Sequence, residues 1–447
     1  MQKLFIFVFL SYVVFFILFP PFQNPDEQGH YETVYWTSQW FYPYVSLNFI
    51  VPKHPYAGDV QQYFSHVIQH NFVIPDYAAI ANSQILQRKD YLQKQKKEFL
   101  PISNQAYNPP VYYVTAAVFL NLSKFLDLNL LQQFYFTRLT SAFFYFGTIY
   151  FVYKILIKLF GNSKKTMGAF LFFALNPIVM QSGIGISPDI AITFFVTAFF
   201  YIVATRNIEK RNTIFLLSCV AGVALLTKIT AVFLIPAFIY YLYASRKLIR
   251  NFFYNSVFFC LTVFIFQIPW MIFNFLRYHT VVVSDIALGI PPKNVHTTFL
   301  NAFTSTVFSL RHTIMHFSGF LGWNDSYPFP VVFITFTVLF ILFLLAGLVK
   351  TLREKGIYTK FLSISTISLI CFFILLGFER AIYFHPGWEI GGRNILPIFL
   401  PMIISIYAGI KVLMRKYAEI TFVFLYYFSI FYYFYILLTV LVPRYYV

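Results

Sequence analysis

The chain has 447 residues, of which 59% are hydrophobic and 11% charged, well below the roughly 25% charge of soluble domains. Aromatic residues make up 22%, and the net charge is +17 from 33 basic and 16 acidic residues. Such a composition excludes a soluble enzyme, a disordered chain and a DNA-binding domain, and points the basic excess at an anionic membrane surface rather than nucleic acid.

Eleven apolar runs are long enough to read as membrane spans: 3–19, 133–157, 167–185, 189–205, 212–227, 229–245, 252–275, 330–349, 361–377, 394–411 and 420–442. No small-residue cleavage site follows Pro20-Pro21, so the first run reads as a retained helix with its N-terminus inside. A shorter, Tyr-rich run from Val111 to Leu126, opened by Pro109-Pro110 and interrupted by Lys124, reads as a membrane-parallel helix in the outer interface. With that choice the inner turns collect the bases of Lys154–Lys165, Arg206–Arg211, Arg246–Arg250, Lys350–Lys360 and Lys411–Lys416 against only Glu209, Glu354 and Glu419. The other acids and all 9 histidines fall outside, as the positive-inside rule requires. The fold expected is an all-α integral membrane protein of about eleven transmembrane helices, one polytopic domain over 1–447 with long outer loops at 20–132 and 276–329.

Taken in chain order, the first motif is Asn24-Pro25-Asp26-Glu27-Gln28-Gly29-His30-Tyr31, just beyond the outer end of the first span. Adjacent carboxylates there can hold a divalent cation, or one can act as base while the other orients a substrate; a solvated helix cap is the plainer alternative. Tyr107-Asn108-Pro109-Pro110-Val111-Tyr112-Tyr113 leads into the interfacial run, where a proline turn before a tyrosine-belted helix is the plainer reading. Ala174-Leu175-Asn176-Pro177 and Ser187-Pro188-Asp189 put Asp189 where two helices turn at the outer surface, a position that helix capping also explains. Leu226-Thr227-Lys228-Ile229 places a lone lysine at an outer turn, either snorkelling or meeting a lipid phosphate. Gly391-Gly392-Arg393-Asn394 opens the tenth span with glycines that let backbone approach a ligand and an arginine fork that matches phosphate oxygens. His312 and His316 share a helical spacing but lack the Glu of an HExxH zinc site. The three cysteines are widely spaced in apolar runs, and no P-loop or GxGxxG element is present.

In this order, with Arg138-Leu139 and Ser141-Ala142 opening the second span, the motifs resemble those of the GT-C superfamily of integral-membrane glycosyltransferases. That superfamily includes the protein O-mannosyltransferases and aminoarabinose transferases. The resemblance runs over roughly residues 1–410, and Pro25-Asp26-Glu27 with His30-Tyr31 is closest to a large bacterial branch. It implies a sugar transfer from a polyprenyl-phosphate donor to a glycan, lipid or protein acceptor at the outer face of the cell membrane, with a divalent metal ion on Asp26 and Glu27 as an option. By position it implies Asp26 as the catalytic acidic residue and Glu27 as its neighbour on the donor or metal. It further implies Lys228, Arg393 and Arg138 near the donor phosphate, and His30, Tyr31, Tyr112 and Asp189 as substrate contacts. The chain departs from relatives at Asn108, where histidine is usual before Pro-Pro, and at Asn394, where tyrosine often follows the arginine. A carrier or flippase of lipid-linked sugars and an inactive relative are the alternatives; a carrier calls for charged residues lining a mid-membrane path and for inverted repeats, and the sequence displays neither.

Overall fold

Backbone in hydrocarbon has no water to bond, so a chain this apolar satisfies its N–H and C=O groups within helices. The computed structural model does so. It describes residues 2–38, 108–281, 328–383 and 392–443 except Phe22 and Arg250, together with positions 105, 298–304, 306, 313, 319 and 321. Its helices are α1 (Gln2–Leu18), α2 (Glu27–Ser38), α3 (Val111–Phe125), α4 (Leu130–Phe160), α5 (Lys164–Ala174), α6 (Pro177–Ile184), α7 (Asp189–Thr205), α8 (Arg211–Leu225), α9 (Leu234–Ala244), α10 (Phe252–Tyr278), α11 (Pro330–Arg353), α12 (Ile357–Tyr383), α13 (Phe399–Leu413) and α14 (Ala418–Ile436). Short 3-10 turns at Ile229–Phe233 and Gly392–Ile398 precede α9 and α13. Most of both long loops, with His296, His312 and His316, lies outside the described residues.

Every expected apolar run falls on a helix or a helix pair, and the architecture is all-α as expected. Among the described residues, 6 helices are long and apolar enough to cross a membrane, or 7 if the bent pair α5–α6 counts as one span. The remaining expected spans fall on apolar helices of 10–17 residues. At about 1.5 Å per residue, 17 residues reach about 25 Å, just short of a ~30 Å hydrocarbon core. The eleven-span count therefore does not follow from helix length.

The 31-residue α4 is the frame on which the site is built. Asn129 and Gln132 cap each other's backbone at its start, and Gly161, at φ 68°, ends it. Helices α3, α5, α6 and α7 all pack on it. Across the bundle α11 and α13 touch backbone to backbone: a Cβ on Gly347 would lie 1.7 Å from the Ser405 carbonyl oxygen. Small residues drive such contacts in membranes, where helix association gains nothing from expelling water.

The run expected as one span at 167–185 is broken by 53° between α5 and α6. Pro177 has no N–H to continue the helix, and the Asn176 side chain accepts from Ile178 N at 3.2 Å to start a new one. The carbonyls this break and the end of α6 release are met by hydroxyls. Tyr145 donates to Ala174 O at 2.8 Å, Tyr12 to Gly183 O at 2.8 Å and Ser141 to Gly185 O at 2.6 Å. All residues from Asn176 through Asp189 are buried. The segment delivers the five residues Gly185–Asp189 to the end of the bundle where α1, α2 and α3 also arrive.

Candidate functional site

The site begins at a buried pair. Pro20-Pro21 ends α1, the chain turns through Gln23–Asp26, and α2 opens with Glu27. Arg138, on α4, reaches Glu27 with Nε at 2.9 Å and Nη2 at 2.8 Å. The same guanidinium donates to the carbonyls of Phe19 at 2.7 Å and Pro20 at 2.8 Å. Ile186 N donates to Glu27 Oε1 at 2.9 Å. Both side chains are 0% exposed, and the guanidinium stacks over Phe134 and Tyr135. An arginine fork matched to a carboxylate and two carbonyls is the arrangement that makes a buried ion pair tolerable.

Tyr112, on α3, joins the same floor. Ser141 gives its proton to Gly185 O, so Tyr112 must donate to Ser141 Oγ, 2.9 Å away, and accept from Ser187 N, also at 2.9 Å. Burial pushes the Tyr112 phenol up, which keeps it a donor. Gly185 leaves room for Asn24: a Cβ there would fall 1.8 Å from Asn24 Nδ2.

Above this floor four chain segments bring opposite charges together. Asp189, 2% exposed, receives Lys228 Nζ on one oxygen. Its other oxygen accepts from Ser187 Oγ at 2.6 Å and faces Arg393 Nε at 3.6 Å. Lys228 also donates to Asn394 Oδ1 at 2.7 Å. Arg393, from the 3-10 turn before α13, donates Nη2 to Asp26 Oδ2 and Nη1 to Pro25 O at 2.5 Å. Exposure rises outward from Asp189 through Lys228 at 17% and Arg393 at 19% to Asp26 at 34%. Asp26 sits at φ 62°, a left-handed conformation that aspartate tolerates better than most residues. Desolvation would raise the Asp26 pKa, but the charge and hydrogen bond of Arg393 outweigh it and hold the carboxyl below its ordinary range. His30, buried with Nδ1 2.7 Å from the Tyr113 hydroxyl, is pushed down to about 3 by burial and stays neutral.

The structure thus brings Asp26, Asp189, Lys228 and Arg393 into one cluster and places His30 and Tyr112 beside it. Tyr31 is fully buried and packs edge-on against Phe134 with ring centres 5.0 Å apart. Arg138 and Glu27 engage each other. The Asp26 and Glu27 carboxylates turn to different arginines and do not form a shared pair of ligands. Among the described residues no group of three His, Cys, Asp or Glu side chains is placed to hold a metal ion. Sequence reasoning did not assign Ser187, Ser141, Tyr113 or Asn394 to the site. Ser187 had a readable signal, a serine two residues before a helix start, and it accepts from Asp189 N, the first residue of α7, at 3.2 Å. Asn394 registered as a departure from relatives and is a lysine partner here.

A family profile described as "Predicted membrane protein (DUF2142)" matches residues 9–402. No curated protein gives a match. Two crystal structures of ArnT from Cupriavidus metallidurans, one in the apo state and one bound to undecaprenyl phosphate, are similar in fold, with 13% identity and a TM-score of 0.45 in each comparison. Each comparison covers 74% of this chain, which spans 55% and 56%, little more than half, of the two ArnT chains.

Proposed function

The chain belongs to the DUF2142 family of membrane proteins, and on its charge cluster we propose that it is a membrane glycosyltransferase. It takes a sugar from a polyprenyl-phosphate donor and passes it to an acceptor hydroxyl at the outer face of the cell membrane. The observation that carries the reading is the convergence of Asp26, Asp189, Lys228 and Arg393 from four segments onto one partly open patch beside apolar helices.

The chemistry asks little of the protein in acid catalysis, because the departing phosphate is already a stable anion. The acceptor oxygen attacks the anomeric carbon, the bond from that carbon to the phosphate oxygen breaks with its electron pair on phosphate, and the hydroxyl proton passes to Asp26. Lys228 and Arg393 stabilise the charge that builds on phosphate. Attack opposite the leaving group inverts the anomeric centre. Aspartate is a weak base towards a hydroxyl, so proton transfer is late and orientation supplies much of the rate. Arg138 and Glu27 hold the floor rather than the donor, because each already engages the other. Metal is not part of this reading, since a divalent ion on Asp26 or Glu27 would have to displace an arginine from either carboxylate. His30 and Tyr112, beside the charge cluster, contribute to the substrate surface.

The broken pair α5–α6 favours a second reading, a carrier of lipid-linked sugars, because discontinuous helices line transporter sites. One assay separates the two. Protein in nanodiscs is given a panel of radiolabelled polyprenyl-phosphate sugars, and release of polyprenyl phosphate with labelling of an acceptor or of water is measured. Turnover that falls at least about 100-fold in Asp26→Asn and in Lys228→Ala supports the enzyme. Binding across the panel without turnover, unchanged in both variants, sinks it and favours the carrier.

A further inference from the structure

The turn that carries Asp26 is fastened at two places. At its base Arg138 holds the carbonyls of Phe19 and Pro20 on one side and the Glu27 carboxylate on the other, so both ends of the 21–26 segment are tied to one buried guanidinium. At its tip Arg393 holds the Pro25 carbonyl and the Asp26 carboxylate together. The base is fully buried and the tip is open to solvent at Arg393 and Asp26. Asp26, at φ 62°, occupies a backbone conformation that persists in a non-glycine residue only when its surroundings hold it.

We propose that Arg393 is an anion-operated latch, in which a phosphate group draws the guanidinium off the Pro25–Asp26 tip and so frees the Asp26 carboxylate. The idea rests on the donor reading above only for the identity of the anion. A phosphate oxygen pair matches the arginine fork as well as a carboxylate and carbonyl do, and it carries more charge. Lys228 stands on the other side of Asp189, so an anion that draws Arg393 off Asp26 meets a second cation without either cation having to leave Asp189. A carboxylate clasped by arginine is a poor base, and one released from it is a better one. Occupation of the phosphate position and readiness of Asp26 are then a single event, and an unloaded protein offers water no free base. The movement stays local, because Glu27, the next residue, is fixed by Arg138 and by Ile186 N.

A thermodynamic cycle tests the latch in full-length protein in nanodiscs, with undecaprenyl phosphate and, separately, inorganic phosphate as probes. If Asp26 competes with the anion for Arg393, Asp26→Asn tightens binding about fivefold, the order expected for loss of one partly exposed ion pair. That gain disappears in an Arg393→Ala background; if this variant does not fold, Arg393→Lys serves, because an ammonium cannot fork across a carbonyl and a carboxylate. In parallel, amide hydrogen exchange over residues 23–30 speeds up when probe is added to the wild type, and is already fast in Arg393→Ala without probe. Weaker or unchanged binding by Asp26→Asn, or an equal gain in both backgrounds, overturns the latch. Undecaprenyl phosphate binding without the gain removes the latch and leaves the donor reading standing. Inorganic phosphate binding with the gain, and no binding of the lipid, keeps the latch and removes the donor reading. Binding of neither probe overturns both.

Discussion

Asp26 and Glu27 are neighbours with the same functional group, each bound to an arginine, and their surroundings make them opposites. Glu27–Arg138 is closed to solvent, its carboxylate saturated by guanidinium and backbone N–H. Asp26–Arg393 is open at 34% and 19%, and tied to Lys228 through Asp189. The difference teaches that burial, more than residue type, decides whether a charge pair fastens a fold or stays available to a ligand.

The most damaging way to probe that contrast is Glu27→Ala. It leaves Arg138 buried without its counter-charge, and a loss of about 3–5 kcal/mol is expected, read as lost monodisperse yield or a collapsed Tm in detergent. Asp26→Asn should do the reverse, with stability within about 1 kcal/mol of wild type and turnover down about 100-fold, measured by unfolding and by donor release on the same preparation. A Tm drop in Asp26→Asn as large as in Glu27→Ala would erase the distinction. Acid offers a graded test through His30. Its folded pKa, about 3, lies below the ordinary 6.5, so the unfolded chain takes up the proton first and stability drains away as pH falls from 6.5 towards 3. The slope is at most about 1.4 kcal/mol per pH unit, and His30→Gln should flatten it in a series of melts from pH 7 to 4. Asp26 adds to the same trend at lower pH, because its carboxyl is also depressed. The smallest effect expected is that of Ser187→Ala, about 1 kcal/mol from the lost hydrogen bonds between its hydroxyl and Asp189, with a modest loss of turnover, read on the same melts and donor-release assay.

Much of this was legible in the sequence, unevenly. Apolar runs marked the helices because hydrophobic length is a one-dimensional property. The bent pair was read as one span at 167–185 despite Asn176-Pro177, since apolar residues continue unbroken across the break and hide a change of direction. Asp26, Asp189, Lys228 and Arg393 were each noticed, but their meeting depends on how far each helix tilts. Arg138 reads from the sequence as a donor-phosphate contact, and in the structure it engages Glu27, as an arginine within an apolar helix calls for a partner inside the protein. Asn394 shows the opposite limit: its bond to Lys228 joins positions 166 residues apart, which no local pattern reveals.

The eight residues of α6 make an object only about 12 Å long, far too short to partition into a bilayer alone. The carbonyls at its far end are met by Tyr12 and Ser141, and the last carbonyl of α5 before it by Tyr145, all of which precede it in the chain. During synthesis the hosts therefore emerge before the guest, and α6 docks into a surface already made rather than entering the membrane on its own credentials. Removing those hydroxyls together, as in a Tyr12→Phe, Ser141→Ala and Tyr145→Phe protein, should leave nascent chains protease-sensitive between α5 and α7 while the earlier helices insert normally. Assembly of this segment is in this sense a matter of order along the ribosome: α6 follows Tyr12 and Ser141, and Lys228 and Arg393 join the cluster only after it.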